Sequence, residues 1–264
     1  MKVTYDFLND YFDKIFVVSL DRATDRQAAI KQHLEGLDYS FFRAVDKQNF
    51  TKEQAIRSGI YDEAKALRLN RYGIRKLLLG EIACSWSHRN LYEKIVAEGY
   101  QRVLIFEDDV VPKLSALKLL PHTMEQLPEE WELVYLGFLQ NEEVSPKHWR
   151  KKQLYKLLAT FKAFRWLNRR HVNNLFPKPY SANLRIAGLH DCTHAYAVSG
   201  TAAEKLLKAQ TPIYSTADEL LTHEVLKGNL NAFICNPTFF DQEDFSRGHS
   251  NGGSYIWSND SNDE

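Results

Sequence analysis

Three cysteines in 264 residues, Cys84, Cys192 and Cys235, are too far apart and odd in number to suggest a disulfide framework or a zinc knuckle. No run approaches the roughly 18 apolar residues of a membrane span, and the opening MKVTYDFLNDYF is neither basic nor apolar enough for a signal peptide. The expectation is a reduced, cytoplasmic protein. An excess of one charge is also missing: 34 Lys and Arg balance 34 Asp and Glu, which argues against nucleic acid as the main partner. Neither a G-x-G-x-x-G nor a P-loop pattern occurs, so a phosphate-bearing ligand would need another clamp. Internal repeats and low-complexity tracts are absent. What remains is one globular unit over about residues 1–245, with an insertion at about 140–185 and a polar, mobile tail at 246–264.

What is present is an alternation. KIFVVSL (14–20), FFRAV (41–45), RVLIF (102–106), WELVYLGF (131–138), HAYAVSG (194–200) and NAFICNP (231–237) read as buried strands. Between them, the segment from Gly80 to Gly99 places Ser85, His88, Leu91, Tyr92 and Ile95 at helical spacing, with Gly99 as a stop. TAAEKLLKA and ADELLTHEVLKG read as two later helices, and Thr51–Lys76 as weakly helical. Strands alternating with helices predict an α/β fold with a mostly parallel sheet. Ligands of such sheets gather outside the carboxyl ends of the strands. That rule gathers Asp21, Glu107, Asp108, Asp109 and Gly137 around one crevice, where Gly137 would let a backbone approach a ligand.

LIFEDDVVP (104–112) is the most informative stretch. Hard divalent cations such as Mn2+ or Mg2+ take carboxylate oxygens, often one or two from the protein with the rest from substrate phosphates. On an extended segment Glu107 and Asp109 leave the same side and Asp108 the other. Two same-side acids at a strand end suit a metal that holds a diphosphate. A solvated charged turn is the plain alternative.

FVVSLDRATDR, FFRAVD, GEIACSWSHRNLYEKIV, RVLIFEDDV, LVYLG, HAYAVSGTAAEKLL and ADELL occur in this order. The series resembles glycosyltransferase family 25, which includes bacterial lipopolysaccharide and lipooligosaccharide galactosyltransferases and to which collagen galactosyltransferases are related. The resemblance covers about residues 13–245, with the insertion as its main gap. It implies a GT-A fold (Rossmann-like, for nucleotide-diphospho-sugars), a UDP-sugar donor that is usually UDP-galactose, and inversion at the anomeric carbon. It also implies a divalent metal on a D-x-D-like motif, read here as Glu107-Asp108-Asp109, and a glycan acceptor that is lipid-linked in lipopolysaccharide synthesis.

The same resemblance supplies candidates for the remaining roles. Asp218, with Glu219 next to it, stands where the family carries an acid before a helix. Such a position favours negative charge, as a general base, a metal ligand or a simple helix cap. Ser19, Arg22, Arg26, Asp46, Glu81, Ser87, His88 and Asp108 are donor-binding candidates. The arginines could fork onto phosphate, but they suit a solvated loop equally well, and His88 also suits a core histidine. Asp244 and His249 are candidates for a third metal ligand. A non-catalytic sugar-nucleotide or glycan-binding module and a nucleotidyltransferase remain as alternatives.

Residues 147–170 carry nine Lys or Arg and no acid. Leu154, Leu157, Leu158, Phe161 and Phe164 form a helical stripe there. Such a helix suits an anionic membrane surface, at the cytoplasmic face for a peripheral enzyme. A lid packed by that stripe and an RNA contact are the other readings.

Overall fold

Runs such as KIFVVS and RVLIFE have no polar face, so they need cover on both sides. The computed structural model describes residues 5–69, 75–139, 146–161 and 167–243 and provides that cover. Chain order runs α1 (Asp6–Tyr11), β1 (Lys14–Ser19), α2 (Thr24–His33), β2 (Ser40–Arg43), α3 (Lys52–Arg57), α4 (Glu63–Leu69), α5 (Leu79–Glu98), β3 (Arg102–Glu107) and β4 (Val110–Pro112). It continues with α6 (Leu120–Met124), β5 (Leu133–Leu139), α7 (Pro146–Thr160), α8 (Arg169–Asn173), β6 (Lys178–Pro179), β7 (Leu184–Ile186), β8 (Asp191–Ser199), α9 (Gly200–Ala209), α10 (Ala217–Leu226), β9 (Ala232–Cys235) and β10 (Phe240–Gln242).

Eight strands form one sheet in the order β2-β1-β3-β8-β5-β9-β7-β6. The pairs β1–β2, β1–β3 and β5–β9 are parallel, as alternation predicts. HAYAVSG belongs to a longer strand, β8, that runs against both its neighbours β3 and β5. Most strands therefore share one direction, with β7 and β8 reversed.

Side chains alternate between two cores with the strand period of two. Phe16, Ile105, Tyr135, Tyr196 and Ile234 pack with Leu91 of α5, Ala202 of α9 and Leu220 of α10. Their neighbours Val17, Leu104, Val134, Ala197 and Phe233 pack with Ile30 of α2 and Leu120 of α6 on the opposite face. Gly99 ends α5 in the left-handed conformation, with φ 71°, where a Cβ would be strained.

Within the expected insertion, β6 and the first residues of β7 join the sheet beside β9. Phe239 and Phe240 are buried, and β10 pairs antiparallel with β4. Residues 246–264 lie outside the described residues. The expectation for Gly137 needs correction: it faces no ligand crevice. A Cβ there would meet His194 Nε2 at 2.5 Å and the Phe240 carbonyl oxygen at 2.9 Å.

The imidazole of His194 is fixed, with Nδ1 3.0 Å from the Cys192 carbonyl and Nε2 3.3 Å from that of Phe240. Gly137→Ala must therefore push β5 away from β10. It is expected to lower stability by about 1–3 kcal/mol, measured by urea unfolding.

Candidate active site

At the carboxyl ends of β1, β3 and β5 lies a cavity of about 1190 Å3. Small-ligand sites commonly enclose roughly 300–1,000 Å3, so there is room for more than one small reactant. Its wall includes Ser19, Arg22, Arg26, Asp46, Glu81, Ser87, His88, Glu107, Asp108, Asp109 and Asp218. Asp21 is not in that wall; it is exposed and pairs with Arg43 at 2.6 Å.

The acids of LIFEDDVVP are sorted by a turn. β3 ends at Glu107, and Asp108 and Asp109 form the turn into β4, so the extended geometry expected for all three fails after the first. Asp108 faces β1 and α2, accepting from Ser19 Oγ at 2.8 Å and Arg26 Nη1 at 2.7 Å. It is an anchor within the wall. Asp109 faces β10: Gln242 Nε2 donates to its Oδ2 at 2.8 Å, and the Glu243 amide donates to its carbonyl at 2.8 Å. Arg26 Nη1 is 4.0 Å from the same Oδ2. Asp109 Oδ1 is buried without a hydrogen-bond partner among the described residues.

The charge is poorly balanced. Burial, then the negative charges of Asp109, Asp218 and Asp108, push the Glu107 carboxyl well above the usual carboxylate range, and Arg26 offsets only part of this. Burial likewise raises Asp109 to about 6 despite its bond from Gln242. An orphaned carboxylate oxygen and two acids resisting ionisation fit a hard divalent cation, for which Glu107 and Asp109 supply the oxygen chemistry. Among the described residues, no group of three His, Cys, Asp or Glu is arranged to hold a metal. Remaining ligands would come from phosphate oxygens, water or residues outside those described. Asp244 and His249 lie outside the described residues.

Asp218 stands in the first turn of α10. The N-cap is Thr216, so the expected alternative of a capping Asp218 does not apply. Asp218 Oδ1 accepts from Thr216 Oγ1 at 2.6 Å and from the Glu219 amide at 2.8 Å. Its Oδ2 lies 3.5 Å from the Cys192 amide nitrogen on the cavity wall. Glu219 is a correction. Pointing into the core, it is 1% exposed and lies 3.7 Å from His223, with no place in the cavity wall. One residue along a helix turns a side chain by about 100°, enough to move it from cavity to core.

Several donor-binding candidates are already engaged with one another. Arg22 forks onto Asp46 at 2.6 and 3.3 Å. Arg75, which sequence reasoning passed over, holds both oxygens of Glu81 at 2.7 Å. Ser87 accepts from the Val45 amide at 2.8 Å, tying α5 to the loop after β2. His88 is a core histidine that also reaches the wall: Nδ1 lies 2.7 Å from Tyr196 Oη, which in turn lies 2.9 Å from Tyr92 Oη. Burial lowers its pKa to about 4, so it is neutral at pH 7. Lys47, Asp191 and Thr193 complete the wall unforeseen. They follow β2 or open β8, and only the tertiary fold brings those ends together.

The raised Asp109 pKa carries a sign. The folded state keeps the proton up to about pH 6, while an unfolded Asp releases it near 3.9. Between those values the folded state binds more protons, so this group's contribution falls as pH rises and its full cost persists above pH 6. Asp109→Asn removes that cost. At pH 7.5 the variant is expected to be about 1–3 kcal/mol more stable than wild type, with the difference vanishing near pH 4, by urea unfolding.

Residues 12–221 match the model of glycosyltransferase family 25, described as an LPS biosynthesis protein family. A human protein named inactive glycosyltransferase 25 family member 3 is 35% identical over 141 residues, which is 52% of this chain and 23% of that one. Procollagen galactosyltransferase 1-A of Xenopus laevis is 26% identical over 206 residues, 75% of this chain and 28% of that one. The chain thus spans only about a quarter of the length of these relatives. The apo structure of mouse xyloside xylosyltransferase 1 overlaps 82% of this chain and 62% of its own. At 12% identity and a TM-score of 0.34 that overlap is too loose to bear on this chain. With most of its length inside the family model, the chain belongs to glycosyltransferase family 25.

Proposed function

We propose that the chain is a metal-dependent, inverting hexosyltransferase that moves galactose from UDP-galactose to a hydroxyl of a glycan acceptor, in lipopolysaccharide or another surface glycan. The observation that carries this reading is the pairing, in one cavity, of an undercompensated acidic turn with a separate carboxylate, Asp218. A Mn2+ or Mg2+ ion on Glu107 and Asp109 would supply charge neutralisation for the departing diphosphate.

The protein's own groups then divide the work. Asp108, held by Ser19 and Arg26, fixes the turn that aims Glu107 and Asp109. Gln242 holds Asp109 from the opposite side. Asp218 is the candidate base: it takes the proton of the acceptor hydroxyl as that oxygen bonds to the anomeric carbon and the bond from that carbon to the UDP oxygen breaks. Displacement from the face opposite the diphosphate gives inversion. His88, neutral and oriented by Tyr196, offers the cavity a polar edge without adding charge.

A second reading, a non-catalytic sugar-nucleotide-binding module, draws support from the name of the human relative, which calls that protein inactive. A donor screen separates the two readings. Purified protein with UDP-, GDP- and CMP-sugars is expected to hydrolyse UDP-galactose slowly with manganese and not with chelator. Asp109→Ala is expected to abolish that turnover while leaving the fold intact. Donor binding indifferent to manganese, with no hydrolysis, would favour the module.

Asp218→Asn tests the base. Transfer is expected to fall about 100-fold or more, while calorimetry shows unchanged affinity for UDP with manganese. Loss of that affinity instead would make Asp218 a metal ligand.

A further inference from the structure

From Lys147 to His190 the chain carries 11 Lys or Arg and no Asp or Glu. A formally neutral chain has thus collected a block of positive charge in one segment. Within it, α7 has two unlike faces. At about 100° per residue, Tyr155 and Ala159 share one side, and they pack against Val172, Leu175 and Leu226. Lys152 secures that side by donating to the Asn173 carbonyl at 2.7 Å. The opposite side carries Leu154, Leu157 and, just past the helix end, Phe161, which are 54%, 57% and 76% exposed. Arg150 falls in the same arc; Lys151 lies toward the packed row, its Nζ 5.5 Å from the centre of the Tyr155 ring, and both are exposed. Much of the apolar stripe is therefore not what packs α7 onto the domain, which removes the basis for a lid held by it.

We propose that this outward face of α7 docks on an anionic lipid bilayer. Apolar side chains in the company of cations, with no acid on the helix, match an interface of acyl chains beneath negative headgroups. A solvated helix face gives no reason for three large apolar groups in one arc. An acidic protein groove would need a shape complement, whereas a bilayer accepts a single convex helix. No described helix is long and apolar enough to cross a membrane, so contact through α7 would be peripheral. The surface is linked to the cavity through two helices. α7 packs on α8, which in turn packs on α10, the helix whose first turn carries Asp218.

Sedimentation of the full chain with vesicles tests the proposal. Binding is expected to equimolar phosphatidylcholine–phosphatidylglycerol vesicles, weakened by salt, and not to phosphatidylcholine alone. The doubly substituted variant L157E/F161E changes only exposed groups, so its melting temperature should hold while binding falls at least about tenfold. R150E/K151E should lose a similar factor through charge alone. Failure to bind anionic vesicles, or binding that both variants retain, overturns the proposal. So does a dimer in light scattering that L157E/F161E dissolves without any vesicle binding, since the face would then belong to a second copy. Tighter binding to single-stranded RNA than to vesicles overturns it as well. Vesicle binding is read without donor or acceptor, so its outcome is independent of the transfer chemistry.

Discussion

Carboxylates crowded out of water raise one another's cost of ionisation, and the β3–β4 turn concentrates three of them beside a fourth on α10. The cluster is held in place by unequal treatment. Asp108 is neutralised by Arg26 and bonded by Ser19, which pins the turn to β1 and α2. Asp109 has one oxygen bonded to Gln242 and the other buried without a partner. Glu107 has no hydrogen bond from any described residue to offset its burial. The arrangement sacrifices stability at neutral pH, and a bound cation is the simplest agent that would recover it.

The rest of the cavity follows from that constraint. β10 is short and depends on β4, yet it delivers Gln242 to Asp109. Gly137 matters for the same reason, because only a residue without a Cβ lets His194 and the Phe240 carbonyl sit against β5 and bring β10 into reach. On the other wall, Arg75 and Arg22 hold Glu81 and Asp46. These two acids thus shape the opening as members of ion pairs; any contact with a donor would be shared with their arginines.

Much of this was legible in the sequence, for physical reasons that differ by residue. β1, β3 and β5 announce themselves because burial on both faces leaves unbroken apolar runs. Glu107, Asp108 and Asp109 could be placed at a sheet's ligand edge because that edge follows from topology alone. What stayed hidden depended on directions that spacing does not encode. β8 looks like any buried strand, and nothing in HAYAVS says that it runs backwards. Glu219 and Asp218 are adjacent acids, yet the turn of α10 sends one to the core and the other to the cavity. FFDQED has no alternating run to signal a strand, yet its two phenylalanines are buried and its first part forms β10. The basic helix was visible from its charges. Its outward face was not, because the packing of Tyr155 and Ala159 sets the rotation about its axis.

The central claim is that Glu107 and Asp109 share a cation with the donor's diphosphate. Anomalous-difference density from crystals soaked in UDP and manganese tests it most directly. The account predicts one manganese peak between those two side chains, with diphosphate oxygens completing its shell. A nucleotide seated elsewhere, with both carboxylates turned to solvent or bonded only to protein, would contradict it.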